Sequence, residues 1–252
     1  IFVTKKTNVS LFAFIDEVDD VFYVSDKGIL SLIGSSIGLL WKLWKNRPDV
    51  YIDLEIYSNY SSVITTMSLA RNRMGFFKDD KSYRKGMYTH MIFFNIKSPV
   101  SQTYLQFARL HNCQEIITEV VINASKIDST ASTTINTKLN VPILEKYILV
   151  NPNASDLRLE RRWPSENVVQ LIKTLEVQYP DFKIILIGDK NEAEYVHSIA
   201  KQHGANVIDS SGKLTLHELI ALIAKATLLI TNDTGPMHLA FGLKVKTVSL
   251  FG

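Results

Sequence analysis

The sequence predicts a doubly wound α/β fold, and three features of residues 147–252 predict it. Short apolar runs alternate with amphipathic stretches of helical period, the links between them are short, and the apolar runs are continuous rather than alternating. Continuous runs suit strands of a parallel sheet covered on both faces. Strand–helix alternation with right-handed crossovers then winds the sheet, and ligands bind beyond the carboxyl ends of its strands.

In order, Tyr147-Ile148-Leu149-Val150-Asn151 reads as a strand, and Pro152 to Arg162 as a polar loop. Val168, Leu171, Ile172 and Leu175 stand at helical spacing, so a helix is expected over Ser165 to Gln178. Lys183 to Gly188 is the next strand, and Asp189 with Glu192 forms a capping pair for a helix reaching His203. Asn206 to Asp209 is a short strand. Thr215 and Glu218 make a capping box opening a helix from Leu216 to Lys225. The strand Leu228–Thr231, a helix from Pro236 to Gly242 and the strand Lys246–Leu250 complete the pattern. The loops after Asn151, Gly188, Asp209 and Thr231 are therefore expected to share one rim.

The first half is less regular. Val21–Ser25, Val50–Ile56 and Arg73–Phe77 read as strands, and Ile29–Lys45, Tyr60–Arg71 and Ser101–Leu110 as helices. Asn123 to Asn140 is rich in Ser, Thr, Asn and Lys with little periodicity, so it is expected to be an exposed connection. The domain junction is placed there. This divides the chain into 1–140 and 141–252, two Rossmann-like domains facing a cleft. The chain opens as if inside a strand and stops as another finishes, so a first strand and a closing segment are expected to lie outside it.

Composition excludes some classes. The chain of 252 residues is 46% hydrophobic and 21% charged, with a net charge of +3, too small to attract nucleic acid in bulk. The single cysteine, Cys113, forbids an intrachain disulfide. No pair of histidines has metal-ligand spacing. The apolar stretch Ile29 to Trp44 is shorter than the roughly 20 residues a membrane span needs. Two readings stay open for it: a helix packed on a sheet, or an interfacial helix whose Trp41, Lys42, Trp44, Lys45 and Arg47 meet anionic lipid.

The most informative stretch is Asn232-Asp233-Thr234-Gly235-Pro236-Met237-His238-Leu239-Ala240. It follows a buried strand and opens a helix, with Pro236 in the first turn. Asp233 or Thr234 can cap the amides, and Gly235 lets a ligand approach the backbone. Such a helix start attracts anions. The loop 151–164 adds Ser155, Arg158, Arg161 and Arg162 at the start of another helix on the same rim, and guanidinium groups suit a diphosphate. His238, one turn inside the helix, is a candidate ligand contact. Asp189 or Glu192 stands near a ribose or simply caps a helix. Asp53 and Glu55 share one side of a strand, facing a cleft or capping the strand end. No Gly-x4-Gly-Lys-Ser or Gly-x-Gly-x-x-Gly motif follows a strand, which argues against a nucleoside-triphosphate hydrolase and a nicotinamide dehydrogenase.

These residues resemble glycosyltransferase family 9, the ADP-heptose:lipopolysaccharide heptosyltransferases. The resemblance runs through Asn151-Pro152-Asn153-Ala154-Ser155, Arg161-Arg162-Trp163-Pro164, Leu186-Ile187-Gly188, Leu214-Thr215-Leu216, Asp233 to Ala240 and Val248-Ser249-Leu250-Phe251-Gly252. A fainter match covers Tyr51 to Glu55 and Arg73 to Phe76. It implies two Rossmann-like domains of GT-B type and an inverting transfer of heptose, or a related sugar, from an ADP-sugar to a lipopolysaccharide core or other surface glycan. It also implies no cofactor and no obligatory metal. By analogy Ser155 and Arg161, the latter where the family usually has lysine, contact the diphosphate, and Leu214 meets adenine through its backbone. Asp189 or Glu192 reaches the ribose, and Asp233, Thr234 and Gly235 hold phosphate and sugar. Asn153 stands where glycine is usual, and no residue present matches the family's catalytic base, so the catalytic residue is unassigned. A cytoplasmic location is implied, with peripheral contact on the inner membrane. Rival readings are a two-domain nucleotide-sugar epimerase and a non-catalytic sugar-nucleotide module.

Overall fold

The structure is a computed structural model; it describes residues 1–25, 27–78, 83–114, 119, 121–140, 146–154 and 156–251, with the backbone alone at 156–158. Contacts divide the chain into two compact units, Ile1–Val9 with Asp19–Thr118, and Ser10–Val18 with Glu119–Gly252. Both are α/β with parallel strands, the class the sequence predicts.

In the first unit β1 (Phe2–Lys5) pairs in parallel with β2 (Val21–Val24). A second parallel sheet has the order β3 (Val50–Asp53), β4 (Asn72–Phe77) and β5 (His90–Phe93). Helix α1 (Ile29–Asn46) buries Leu39, Leu40 and Leu43 against Phe22 and against Ile64 of α2 (Asn59–Met67). Phe107 of α3 (Val100–Leu110) packs on Met74, Phe76 and Ile92.

A polar cluster closes the carboxyl end of β3. Asp53, 4% exposed, accepts the Glu55 amide at 3.0 Å and the Tyr88 hydroxyl at 2.5 Å, and Ser62 Oγ lies 3.0 Å from the same hydroxyl. Asp53 is thus occupied at the strand end, and its pairing with Glu55 is through the Glu55 backbone. Burial first, then the Asp53 carboxylate, pushes the Tyr88 phenol above its ordinary range. Gly75 lies under this ring: a Cβ there would stand 2.5 Å from Tyr88 Cε1. The hydroxyl is pinned, so the ring cannot swing aside cheaply.

The second unit holds a five-stranded parallel sheet, ordered β10 (Thr247–Leu250), β9 (Leu228–Asn232), β6 (Tyr147–Asn151), β7 (Lys183–Leu186), β8 (Val207–Asp209). Central β6 is buried at every position because its two faces are both covered. Ile148 and Val150 meet Val168 and Ile172 of α5 (Ser165–Gln178) and belong to one cluster with Val196 and Ile199 of α6 (Ala193–Ala200). Tyr147 and Leu149 meet the opposite layer, with Ile220 and Ile223 of α7 (Leu216–Ala224) and Leu239 and Ala240 of α8 (Gly235–Gly242). That is why the strand reads as an unbroken apolar run. The chain moves outward from β6 to β8, then returns to β9 on the other side of β6, which makes the β6–β9 junction the switch point where such sheets bind ligands.

Two parts of this unit depart from the sequence reading. Residues 123–140, expected as an exposed connection, carry a 3₁₀ turn (Ala124–Lys126) and helix α4 (Ala131–Leu139). Ala131, Ile135 and Leu139 lie four residues apart and are buried in the sheet's core, an interval masked by the surrounding Ser, Thr and Asn. Residues 6–14, to which the sequence reading gave no element, form a 3₁₀ helix, and Phe14 is fully buried in the same core. Asn123 holds that segment, donating its backbone amide to Phe14 O at 2.8 Å and its side chain to Asp16 at 2.7 Å.

The capping box is present: Thr215 accepts from the Glu218 amide, and Glu218 from the Thr215 amide. Lys138 of α4 reaches Glu218 Oε2 at 2.7 Å. Burial alone would raise the Glu218 carboxyl, but the Lys138 and Thr215 bonds outweigh it and hold it below the ordinary carboxylate value. A depressed carboxylate stabilises above its unfolded pKa and loses that contribution as pH falls through its folded value. Replacing Glu218 by Gln is therefore expected to cost about 1 kcal/mol in urea unfolding at neutral pH, the scale of a lost cap, with the difference from wild type shrinking as the pH enters the carboxylate range. For Gly75→Ala the same measurement is expected to show a loss of about 1–3 kcal/mol from overpacking against the Tyr88 ring.

Candidate functional site

The carboxyl ends of β6, β7, β8 and β9 open on one rim, because all five strands run in parallel. At its floor lie three buried asparagines: Asn151 ending β6, Asn232 ending β9, and Asn153 in the loop between β6 and α5. Buried amides ordinarily find partners; these find each other and the loops at every group but one, Asn153 Oδ1, which has no partner among the described residues. Asn151 Nδ2 donates to Thr231 Oγ1 at 3.0 Å and to Thr234 Oγ1 at 2.8 Å. Asn151 Oδ1 accepts from Asn153 Nδ2 at 2.9 Å, which also donates to Ile187 O at 2.8 Å. Asn232 Nδ2 donates to the carbonyls of Pro152 and Asn153 at 3.1 and 2.9 Å, and its Oδ1 takes the Trp163 amide at 3.4 Å. Both ends of the loop after β6 are thereby tied to β9.

That tie sets the start of α8. Thr234 is the N-cap residue, extended at φ −148°, yet its side chain caps no amide. It is held toward the sheet instead, accepting from Asn151 and donating to Asn232 O at 3.2 Å. Asp233 does not cap either; its Oδ2 pairs with Arg161 Nη1 at 2.9 Å. The capping expected of these two residues is therefore absent, and α8 presents its first amides without a side-chain cap. Gly235 is exposed, and a Cβ built there would meet no atom within 4 Å. Among the described residues no backbone strain or packing requires glycine at this point. Pro236 occupies the first turn, and His238 is exposed one turn further on. An uncapped helix start facing open space, with a guanidinium held beside it, is built to receive an anion.

Arg161 and Arg162 part company. Arg161 lies at the helix start with 37% of its side chain exposed. Arg162 turns to α6, its guanidinium carbon 4.2 Å over the Tyr195 ring, a cation–π contact that anchors the loop. The side chain of Arg158 and all of Ser155 lie outside the described residues.

Further along the rim, Asp189 and Glu192 cap each other's turn. Asp189 Oδ1 accepts the amides of Asn191 and Glu192 at 2.7 and 3.0 Å, and Glu192 Oε2 accepts the Asp189 amide at 2.8 Å. Leu214, half-buried on the core, precedes α7 beyond the end of β8. Gly212 in the same loop adopts φ +66°, where a Cβ would press on Lys190 Cα at 3.3 Å, so the β7 and β8 loops touch at a glycine. The sequence reading missed the roles of Asn151, Thr231 and Asn232 and of Tyr195. The available signal was polar residues closing otherwise apolar strands, where a buried amide is costly without a purpose. Among the described residues no group of three or more His, Cys, Asp or Glu stands placed to hold a metal ion. A cavity of about 410 Å³ opens at the opposite end of the sheet, lined by Leu171, Leu175, Phe182 and Leu228 with Gln178 and Lys246 among its polar residues.

Comparison with known proteins bears on the family and the fold. The sequence profile of glycosyltransferase family 9 (heptosyltransferase) matches residues 39–252. The lipopolysaccharide heptosyltransferase 1 of Campylobacter coli is 24% identical over 277 aligned residues, which take in 100% of this chain and 78% of that protein. Among solved structures, E. coli ADP-heptose lps heptosyltransferase II superposes with a TM-score of 0.78 at 19% identity, covering 99% of this chain and 74% of that one. E. coli heptosyltransferase WaaC with ADP-2-deoxy-2-fluoro heptose gives 0.72 at 17%, covering 98% and 77%. At such identities the superpositions show the fold.

Replacing Asn232 by Ala removes the donor that satisfies two buried carbonyls. Chemical denaturation is expected to show a loss of about 1–3 kcal/mol, and limited proteolysis to cut within 152–163 in the variant first.

Proposed function

The chain belongs to glycosyltransferase family 9, the heptosyltransferases, and from that premise we propose that it transfers heptose, or a related sugar, from an ADP-sugar to a lipopolysaccharide core or another surface glycan, inverting the anomeric centre. The observation that carries the donor half of this reading is the meeting of Arg161 with the uncapped start of α8.

Glycosyl transfer from a nucleoside diphosphate sugar builds negative charge on the departing diphosphate, and the site must neutralise that charge as it develops. Arg161 supplies a fork of donors matched to two oxygens. The Gly235 amide and the helix dipole supply the rest from preset positions, since Pro236 has no N–H and the Met237 amide already donates to Thr234 O at 3.1 Å. Asp233, paired to Arg161, holds the guanidinium at the rim before a ligand arrives. Gly235 admits a phosphate oxygen against the backbone, and Thr234 and His238 flank the same place. The diphosphate reading extends to Ser155 and to Leu214, whose backbone would meet the adenine. Asp189 or Glu192, at the end of β7, would meet the ribose; one oxygen of each is already committed to a cap. An E. coli relative has been solved with an ADP-heptose analogue, the same donor chemistry. Family membership favours transfer over the epimerase and non-catalytic alternatives. We assign no catalytic base. The acceptor places the reaction at the cytoplasmic face of an inner membrane.

Titration calorimetry with ADP tests the donor site. Arg161→Ala is expected to weaken binding by about 1–3 kcal/mol, the value of a charge-assisted contact, without changing the circular dichroism; undiminished affinity would contradict the assignment. Gly235→Ala separates ligand from fold, because the new methyl meets nothing among the described residues. Thermal stability is expected to stay level or rise slightly, while ADP affinity falls about tenfold or more from the lost close approach. Heptose transfer from ADP-heptose to a deacylated core acceptor, read by mass spectrometry, tests the activity itself.

A further inference from the structure

Of the two arginine side chains described on the rim loop, one has an anion and the other does not. Arg161 pairs with Asp233. Arg162 carries a full fork of N–H donors, and among the described residues no carbonyl, hydroxyl or carboxylate accepts from its side chain. Its contact is the Tyr195 ring, 4.2 Å from the guanidinium carbon. Its Nε is buried without a partner, and so is the Tyr195 hydroxyl. Glu166 is near enough to act on the Tyr195 phenol, but its carboxylate accepts from Ser165 Oγ at 3.0 Å and forms no ion pair with Arg162. A ring face returns only part of the hydration that a half-buried guanidinium gives up. An apolar side chain would serve as an anchor at lower cost, so the resting fold gives no reason for a cation here.

Charge at the donor site points to a use for it. Asp233 cancels Arg161 and leaves the pair neutral. A nucleoside diphosphate brings negative charge on each phosphate and gathers more as it departs. The Gly235 amide and the dipole of α8 offset part of that charge. The backbone of Arg162 stands between two contacts to the end of β9. Arg161 before it pairs with Asp233, and the Trp163 amide after it reaches Asn232 Oδ1 at 3.4 Å. The Arg162 amide is itself held by Leu159 O at 2.9 Å. The loop backbone is thus fixed at this residue, so motion of the guanidinium is a change of rotamer.

We propose that Arg162 is a second diphosphate ligand held in reserve. The Tyr195 ring parks its guanidinium before a donor arrives, and the diphosphate draws it to the rim. There it pairs with oxygens that Arg161, already shared with Asp233, does not satisfy. The inference rests on the donor reading and deepens it, adding a ligand-dependent contact to a site otherwise preset. It also gives Tyr195 a definite sign: the ring competes with the diphosphate for one guanidinium, so the stacking energy is subtracted from donor affinity.

Titration calorimetry of the whole chain with ADP and with adenosine tests it. Arg162→Gln is expected to weaken ADP about tenfold and to leave adenosine unchanged. Tyr195→Leu is expected to tighten ADP about threefold or more, because binding no longer gives up the stack. That gain is expected to vanish in Tyr195→Leu/Arg162→Gln. A residue that served only to anchor the loop predicts the opposite sign for Tyr195→Leu. A second readout leaves the ring in place: in isotope-labelled protein the Arg162 Nε–H resonance, assigned by its loss in Arg162→Gln, is expected to shift downfield out of the ring current as ADP is added. Three results would each overturn the proposal: ADP affinity unchanged in Arg162→Gln, ADP weakened by Tyr195→Leu in protein of undiminished thermal stability, or an Arg162 resonance that stays in place as ADP saturates the chain. Failure of the donor reading looks different. ADP then fails to bind or ignores Arg161→Ala, whereas failure of this inference leaves the Arg161 effect intact.

Discussion

A buried amide has two donors and an acceptor to satisfy, and water is not there to do it. At the centre of the second unit three such amides, Asn151, Asn153 and Asn232, are between 1% and 4% exposed. Their bonds join the end of β6 to the end of β9, both strands to the loop 152–163, and that loop to Ile187 beyond β7. Low dielectric strengthens such bonds and makes a missing partner costly, so the network selects one arrangement of the rim. Its most consequential member is Asn151. By drawing Thr234 toward the sheet it takes away the cap that α8 would otherwise have. A helix start left uncapped costs stability, a cost that the proposed donor site would explain.

Arg161 and Asp233 belong to the same logic. They are 72 residues apart in sequence, yet the geometry of a parallel sheet brings their loops to one edge. That convergence was legible: two anion-friendly helix starts after adjacent parallel strands have to share a rim. The asparagines were not legible as a network, because Asn in a sequence reads as loop chemistry and its burial depends on long-range packing. Nor could sequence separate Arg161 from Arg162. Neighbouring residues at the end of a short 3₁₀ segment point in different directions, and only the position of Tyr195 on α6 decides which one is kept from the rim.

The fold shows the same division. Strand β6 and helix α5 follow the expected bounds because continuous apolar character and helical period are both strong there, and the Thr215–Glu218 box marks its helix start. Strand β5 escaped notice: His90–Phe93 has two exposed positions of four and no flanking signal. Helix α4 was hidden by residues that favour turns, its three apolar contacts being supplied by the sheet rather than by propensity. The segment 10–18 was hidden for another reason. Phe14 earns its place only by inserting into a core more than 100 residues away in sequence, next to Ile122 and Leu139.

Hydrogen exchange of the whole chain, read by mass spectrometry with and without ADP, reports most directly on whether the rim grips a diphosphate. Coincident slowing in 152–163 and 232–240, with 90–110 unchanged, is the result the arrangement of Arg161, Asp233 and α8 requires. Slowing confined to other segments, or equal slowing by adenosine, would contradict it.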